Sequence, residues 1–196
     1  MTSILQSLSK TIHYSLALSI LLFLGLYFGN DGFDIDLVFW SWLFRYIHVI
    51  VAIMWIGLLW YFNFVQIPNM AKIPDEQKPA ISKVIAPAAL WWFRWGAVAT
   101  VVTGFILAHL NGYLHDAMTF SNGHWPIGVG MWLAIIMFVN VWAVIWPNQK
   151  KALGIIEVDA ETKAKAARKA MLFSRKNVIL SIPMLVAMTV AQNSFS

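Results

Sequence analysis

The stretch 37–66, LVFWSWLFRYIHVIVAIMWIGLLWYFNFVQ, is thirty residues of almost unbroken apolar sequence. At about 1.5 Å of rise per residue it is longer than the ~30 Å hydrocarbon layer of a bilayer, so it reads as a tilted transmembrane helix. The run also contains Arg45 and His48. Ionisable groups are costly in hydrocarbon. They face a bundle interior, water or headgroups, and they mark function by default. At about 100° per residue, Ser41, Arg45, His48, Ala52, Trp55, Leu59 and Asn63 share one face, which is taken as the working face.

The rest of the chain repeats this pattern. Of its 196 residues 60% are hydrophobic and 12% charged, which excludes a soluble domain. Further apolar runs at 12–28, 90–110, 126–146 and 173–192 bring the expected spans to five, in a single integral membrane domain covering 1–196. The expected fold is an all-α, polytopic membrane helix bundle. The N-terminal run is read as a retained helix, because YFGNDG is a poor cleavage site, and Asn30, Asp31 and Gly32 are expected to end it. The proline-rich stretch 67–87 reads as a polar loop with room for a short helix in its middle. Pro147 is expected to end the fourth span, and Pro183 to kink the fifth. The Ala-rich, mixed-charge segment 157–171 reads as a surface linker helix.

The net charge of +5 is distributed as a topology signal rather than a nucleic-acid footprint. Lys10 precedes the first span, and Lys72, Lys78 and Lys83 lie between the second and third. Lys150, Lys151, Lys163, Lys165, Arg168, Lys169, Arg175 and Lys176 lie between the fourth and fifth or at the start of the fifth. The other two loops have no Lys or Arg. The positive-inside rule then sets the N-terminus in the cytoplasm and the C-terminus outside.

His48 is the first candidate for chemistry. Neutral imidazole is the usual ligand of buried iron, so His48 is a candidate ligand of haem b or a metal; the other reading is a core His bonded to a neighbouring helix. His109, at the lysine-free end of the third span, is the candidate second ligand or else an interfacial His in contact with water. Arg45 suits a haem propionate or an anionic substrate, or it snorkels to the headgroups. Trp55 shares the face of His48 and is grouped with these three as a cofactor-binding candidate. Arg94 is read as snorkelling, His13 as interfacial, and His115, Asp116 and His124 as a loop cluster of no recognised metal spacing. Asn140 and Asn177 read as interhelical glue. Met184 and Met188 read as packing, with a copper path as the sharper alternative. Gly96, Thr100, Gly104 and Ala108, four residues apart, form a ridge against which another helix can pack closely. The spans contain no acidic residue, which argues against a carboxylate proton relay. The absence of Cys excludes covalent c-type haem, disulfides and thiolate metal sites.

Four blocks extend this reading: HVIVAIMWIGLLWYF (48–62), WFRWGAVATVVTGFIL (92–107), NVWAVIWPNQKK (140–151) and SRKNVILSIPMLVAM (174–188). Together they resemble the N-terminal membrane domain of the bacterial membrane-bound urate oxidase family. The last two blocks are the more specific. The resemblance implies a bacterial cytoplasmic membrane, oxidation of urate, and a cytochrome c domain that follows the membrane part on the outer side. A chain without Cys would rely on a separate cytochrome c or respiratory complex. The chain reads AQNSFS (191–196), where the family pattern ends in a His. The resulting expectation is a redox membrane protein with haem b, linked to urate or purine oxidation. The alternative is a cofactor-free membrane subunit or scaffold, and a third reading is urate oxidation by the chain itself.

Overall fold

The computed structural model describes residues 2–29 and 32–193, the side chains of Thr2 and Ser3 excepted. The expected helix stop at Asn30 and Asp31 and the last residues of AQNSFS lie outside the described residues. The described residues form helices and no strand. Five helices are long and apolar enough to cross a membrane: α1 (Leu8–Gly29), α2 (Leu37–Lys72), α3 (Lys78–Leu110), α5 (Trp125–Ala152) and α6 (Ala160–Val190). A short helix, α4 (Leu114–Thr119), lies between α3 and α5. This is the all-α architecture of a multi-pass membrane protein.

The contacts divide the chain into two compact units, Met1–Trp40 and Ser41–Ser196. In the first, α1 has no buried residue and is apolar on all sides. Its polar side chains bond back to its own backbone: His13 Nδ1 donates to Ser9 O at 2.6 Å and Ser19 Oγ to Ser15 O at 2.9 Å. This satisfies polar groups that have no water to turn to. Phe33, past the end of α1, packs edge-on against Phe23 and Tyr27 of that helix. Asp36 then starts α2 by accepting from the amides of Val38 and Phe39 at 2.9 and 3.0 Å.

The spans run further than their hydropathy suggests, and the prolines explain how. A proline normally clashes with the carbonyl four residues back. Here the residue before each of three prolines donates five residues back instead: Ile67 to Phe62, Ala86 to Ile81, and Trp146 to Val141. These wide turns make room for Pro68, Pro87 and Pro147. The expected loop 67–87 is therefore mostly helix, and only 73–77 interrupts it. Pro147 does not end the fourth span, which continues to Ala152.

The separate linker helix 157–171 and span 173–192 are likewise corrected. They are one helix, capped by Asp159, which accepts from Thr162 N at 2.9 Å and Thr162 Oγ1 at 2.6 Å. The reason is a continuous buried stripe of Ala166, Ala170, Ser174, Asn177, Ser181 and Met184, at helical spacing across the whole length.

The stripe also shows what holds the second unit together. Ser174 accepts from Asn63 Nδ2 of α2 at 2.7 Å, and Ser181 accepts from Trp60 Nε1 at 3.1 Å. Asn177 is fully buried; it accepts from Asn140 Nδ2 at 2.7 Å and donates to Met137 O of α5 at 3.1 Å. Asn140 and Asn177 are thus the interhelical glue expected of them. Met184 lies in the apolar core with Trp55, Leu59, Phe93 and Met137. Met188 packs over Gly130, where an added methyl would meet its side chain at 3.0 Å. Asn177→Ala is expected to cost about 1–2 kcal/mol, because it leaves Asn140 and Met137 O short of a partner in a dry interior. Thermal unfolding of the purified protein in detergent would read this as a lowered midpoint.

Candidate functional site

The small-residue ridge on α3 receives α2. A methyl added at Gly96 would lie 3.5 Å from Trp55 N, and one added at Gly104 would lie 3.0 Å from Cε1 of His48. The working face read from the sequence is therefore the face that packs on the ridge. Its burial is graded: Arg45 is exposed, His48 and Ala52 are half-buried, and Trp55, Leu59 and Asn63 are buried.

His48 Nδ1 lies 3.1 Å from Thr103 Oγ1. The Thr103 hydroxyl proton is directed to Ala99 O at 2.6 Å. With that proton directed to a carbonyl, the oxygen of Thr103 can accept from Nδ1–H of His48, the tautomer that leaves a lone pair on Nε2. A hydrogen bond on one ring nitrogen that fixes the tautomer and frees the other for a ligand is the arrangement typical of metal-binding His. It is equally the bond to a neighbouring helix expected of a core His. Thr103 was not singled out from the sequence; its place beside the Gly104 ridge is the signal that could have found it.

His109 sits elsewhere. It is five residues beyond Gly104, which is about 7.5 Å along the helix and ~140° around it. It is exposed and lines an open groove of about 520 Å³ with Phe105, Gly112, Leu114, His115 and Met118. His109 thus lies away from the part of the ridge on which His48 packs. No group of three or more His, Cys, Asp or Glu among the described residues could hold a metal ion. Trp55 is fully buried with its indole N–H unpartnered.

Arg45 belongs to a polar group at the lysine-free end. Burial pushes the Tyr113 phenol up, and the positive charge of Arg45 works against that shift. Tyr113 stacks on His124, with ring centroids 5.5 Å apart. His124 Nδ1 lies 3.9 Å from Asp116 Oδ2. Asn122 is the main cause that holds the Asp116 carboxyl below its ordinary value, with Ser121 and the His124 and His115 charges adding to it and partial desolvation opposing. Short α4 sits tightly on α5 here. Gly128 has no room for a Cβ against the Ala117 carbonyl, and Trp132 Nε1 donates to Met118 O at 3.1 Å.

At the other end Arg94 does not snorkel. It is buried, and its guanidinium lies over the Trp146 ring, 3.4 Å from the centroid.

One comparison with known families bears on this arrangement. The sequence profile described as urate oxidase N-terminal matches residues 117–195. Over that stretch the chain is urate oxidase N-terminal-like. The match covers 79 of the 196 residues and takes in α5, α6 and the Ser174, Asn177 and Ser181 ridge. It includes the two more specific blocks of the resemblance and leaves out His48, His109, Arg45 and Trp55. No curated protein and no solved structure matches the chain.

Two outcomes are expected. In protein labelled with nitrogen-15 at His, His48 gives the signals of an Nδ1-protonated neutral ring. Thr103→Val removes the acceptor and Gly104→Ala displaces the ring, so both shift those signals, whereas Gly96→Ala leaves them in place. The lowered Asp116 value gives the outer turn a stabilisation that is full above the ordinary carboxyl value of 3.8. It is lost as pH falls through the lowered value, because protonation removes a charge that the folded turn favours. A protection factor of the Ser121 amide, corrected for intrinsic exchange, that falls at low pH in wild type but not in Asp116→Asn would report it.

Proposed function

We propose that this urate oxidase N-terminal-like membrane protein is a redox component of a bacterial cytoplasmic membrane, with its lysine-rich loops inside. In this reading His48 binds haem b, and electrons pass to a separate cytochrome c or respiratory complex during oxidation of urate or a related purine. The observation that supports it is the 3.1 Å contact of His48 Nδ1 with Thr103 Oγ1, which leaves Nε2 for a ligand when Nδ1 bears the proton. Haem b, when bound, supplies a one-electron iron couple. The chain supplies the rest. Thr103 holds the tautomer, Gly104 sets how close the imidazole lies to α3, and the Trp55–Gly96 contact fixes the two helices below it. Arg45 brings positive charge to the same end as Tyr113, which suits a propionate or an anionic purine.

The test is a reduced-minus-oxidised absorption spectrum of detergent-purified protein expressed with ample haem. A sharp α band and a shifted Soret band are expected in the wild type, with loss of most of the haem in His48→Ala. Reduction of added cytochrome c by urate would extend the result to the substrate.

A second reading is a cofactor-free membrane subunit. It is favoured by the polar ridge of α6, where every hydrogen bond described serves packing, and by the Thr103 bond, which serves packing as well. A flat spectrum, with a stoichiometric partner recovered from native membranes, would support it.

A further inference from the structure

Arg94 is the one charged residue among the buried polar side chains described, with 8% of its surface exposed. Its Nη1 is shielded from solvent and has no hydrogen-bond partner. Lys150, one turn beyond Trp146, brings its ammonium to 5.8 Å from the centroid of the same ring that Arg94 covers at 3.4 Å. Two cations thus share one indole. The ion pairs among the described residues are Lys78–Asp75, His124–Asp116 and Lys165–Glu161, and neither Arg94 nor Lys150 belongs to one.

The ring face offsets only part of the cost of this arrangement. A cation–π contact returns less than the cost of desolvating a guanidinium that has no counter-ion. The spans offer no carboxylate to close the gap. The missing partner is therefore an anion from outside the chain.

Position and shape indicate its class. Lys150 lies at the lysine-rich end of α5, followed by Lys151, and Arg94, midway along α3, meets it over the Trp146 ring. This is the level of the headgroup phosphates on the side that carries anionic lipids under the positive-inside rule. The guanidinium is stacked on Trp146 with Nη1 short of an acceptor, which a tetrahedral anion can supply, and the compact ammonium of Lys150 adds a second charge. We propose that Arg94 and Lys150, aligned by Trp146, form a site for the phosphate of an anionic phospholipid headgroup. A free phosphate ion shares this chemistry, and the test separates the two.

The full chain is reconstituted in nanodiscs of phosphatidylglycerol and phosphatidylcholine, extracted gently, and its retained lipids are measured by native mass spectrometry. Wild type should retain phosphatidylglycerol in preference to phosphatidylcholine. Each of Arg94→Gln and Lys150→Gln should lower that preference about fivefold, the factor expected for one basic residue at an anionic membrane surface. Lys151→Gln, which keeps both cations on Trp146, should not change it. Lys150 lies at a half-exposed helix end, so its variant keeps the test decisive if Arg94→Gln folds poorly. Arg94→Lys keeps the charge without the flat stack and should fall between wild type and Arg94→Gln. Equal preference in wild type and Lys150→Gln would overturn the site. Displacement of the lipid by millimolar inorganic phosphate would overturn the lipid as its occupant.

Discussion

The approach of α2 to α3 is the constraint on which the second unit depends. The ridge of Gly96, Thr100 and Gly104 removes side chains where the helices meet, so Trp55 and His48 lie directly on the partner backbone. Without a hydrophobic force between helices in lipid, this kind of contact, made of dispersion and a few hydrogen bonds, must carry association. The same closeness places Thr103 within hydrogen-bond reach of His48 Nδ1. Packing and candidate chemistry at this site are thus one arrangement, and a change that loosens the first alters the second.

A different device binds α6. Its stripe of Ser174, Asn177 and Ser181 answers Asn63, Trp60 and Asn140, so the polar side chains of three helices satisfy one another. In a dry interior an amide without a partner is costly, so each bond fixes the rotation of its helix as well as its distance. The portion of the chain that is urate oxidase N-terminal-like contains this ridge on α6 and its Asn140 and Asn177 pair. The exposed-to-buried gradient around His48 lies outside the matched stretch.

The wide turns before Pro68, Pro87 and Pro147 belong to the same logic. Each shifts the backbone donor one residue further back and lets the helix continue past a residue that would otherwise stop it. The lysine-rich ends of α2, α3 and α5 are extended in this way. The extension of α5 carries Lys150 far enough past Trp146 to share its ring with Arg94.

Sequence alone determined the class, the five spans and the face of α2 that packs, because hydrophobic period and span length are local properties of the chain. It also identified the α3 ridge and the Asn140 and Asn177 glue, since small and amide residues in apolar runs have few other uses. It misplaced the helix ends. Proline is a stop signal only when the turn before it is a normal one, and a wide turn leaves no mark in composition. The joining of 157–171 to the last span was missed for a related reason, as a buried stripe of Ala and Ser is weakly hydrophobic. Tertiary structure alone decided the partners. The Thr103 bond to His48, the separation of His109 from it and the pairing of Arg94 with Trp146 all depend on how helices are rotated against one another. That rotation is fixed by contacts between residues distant in the chain, and no local pattern encodes it.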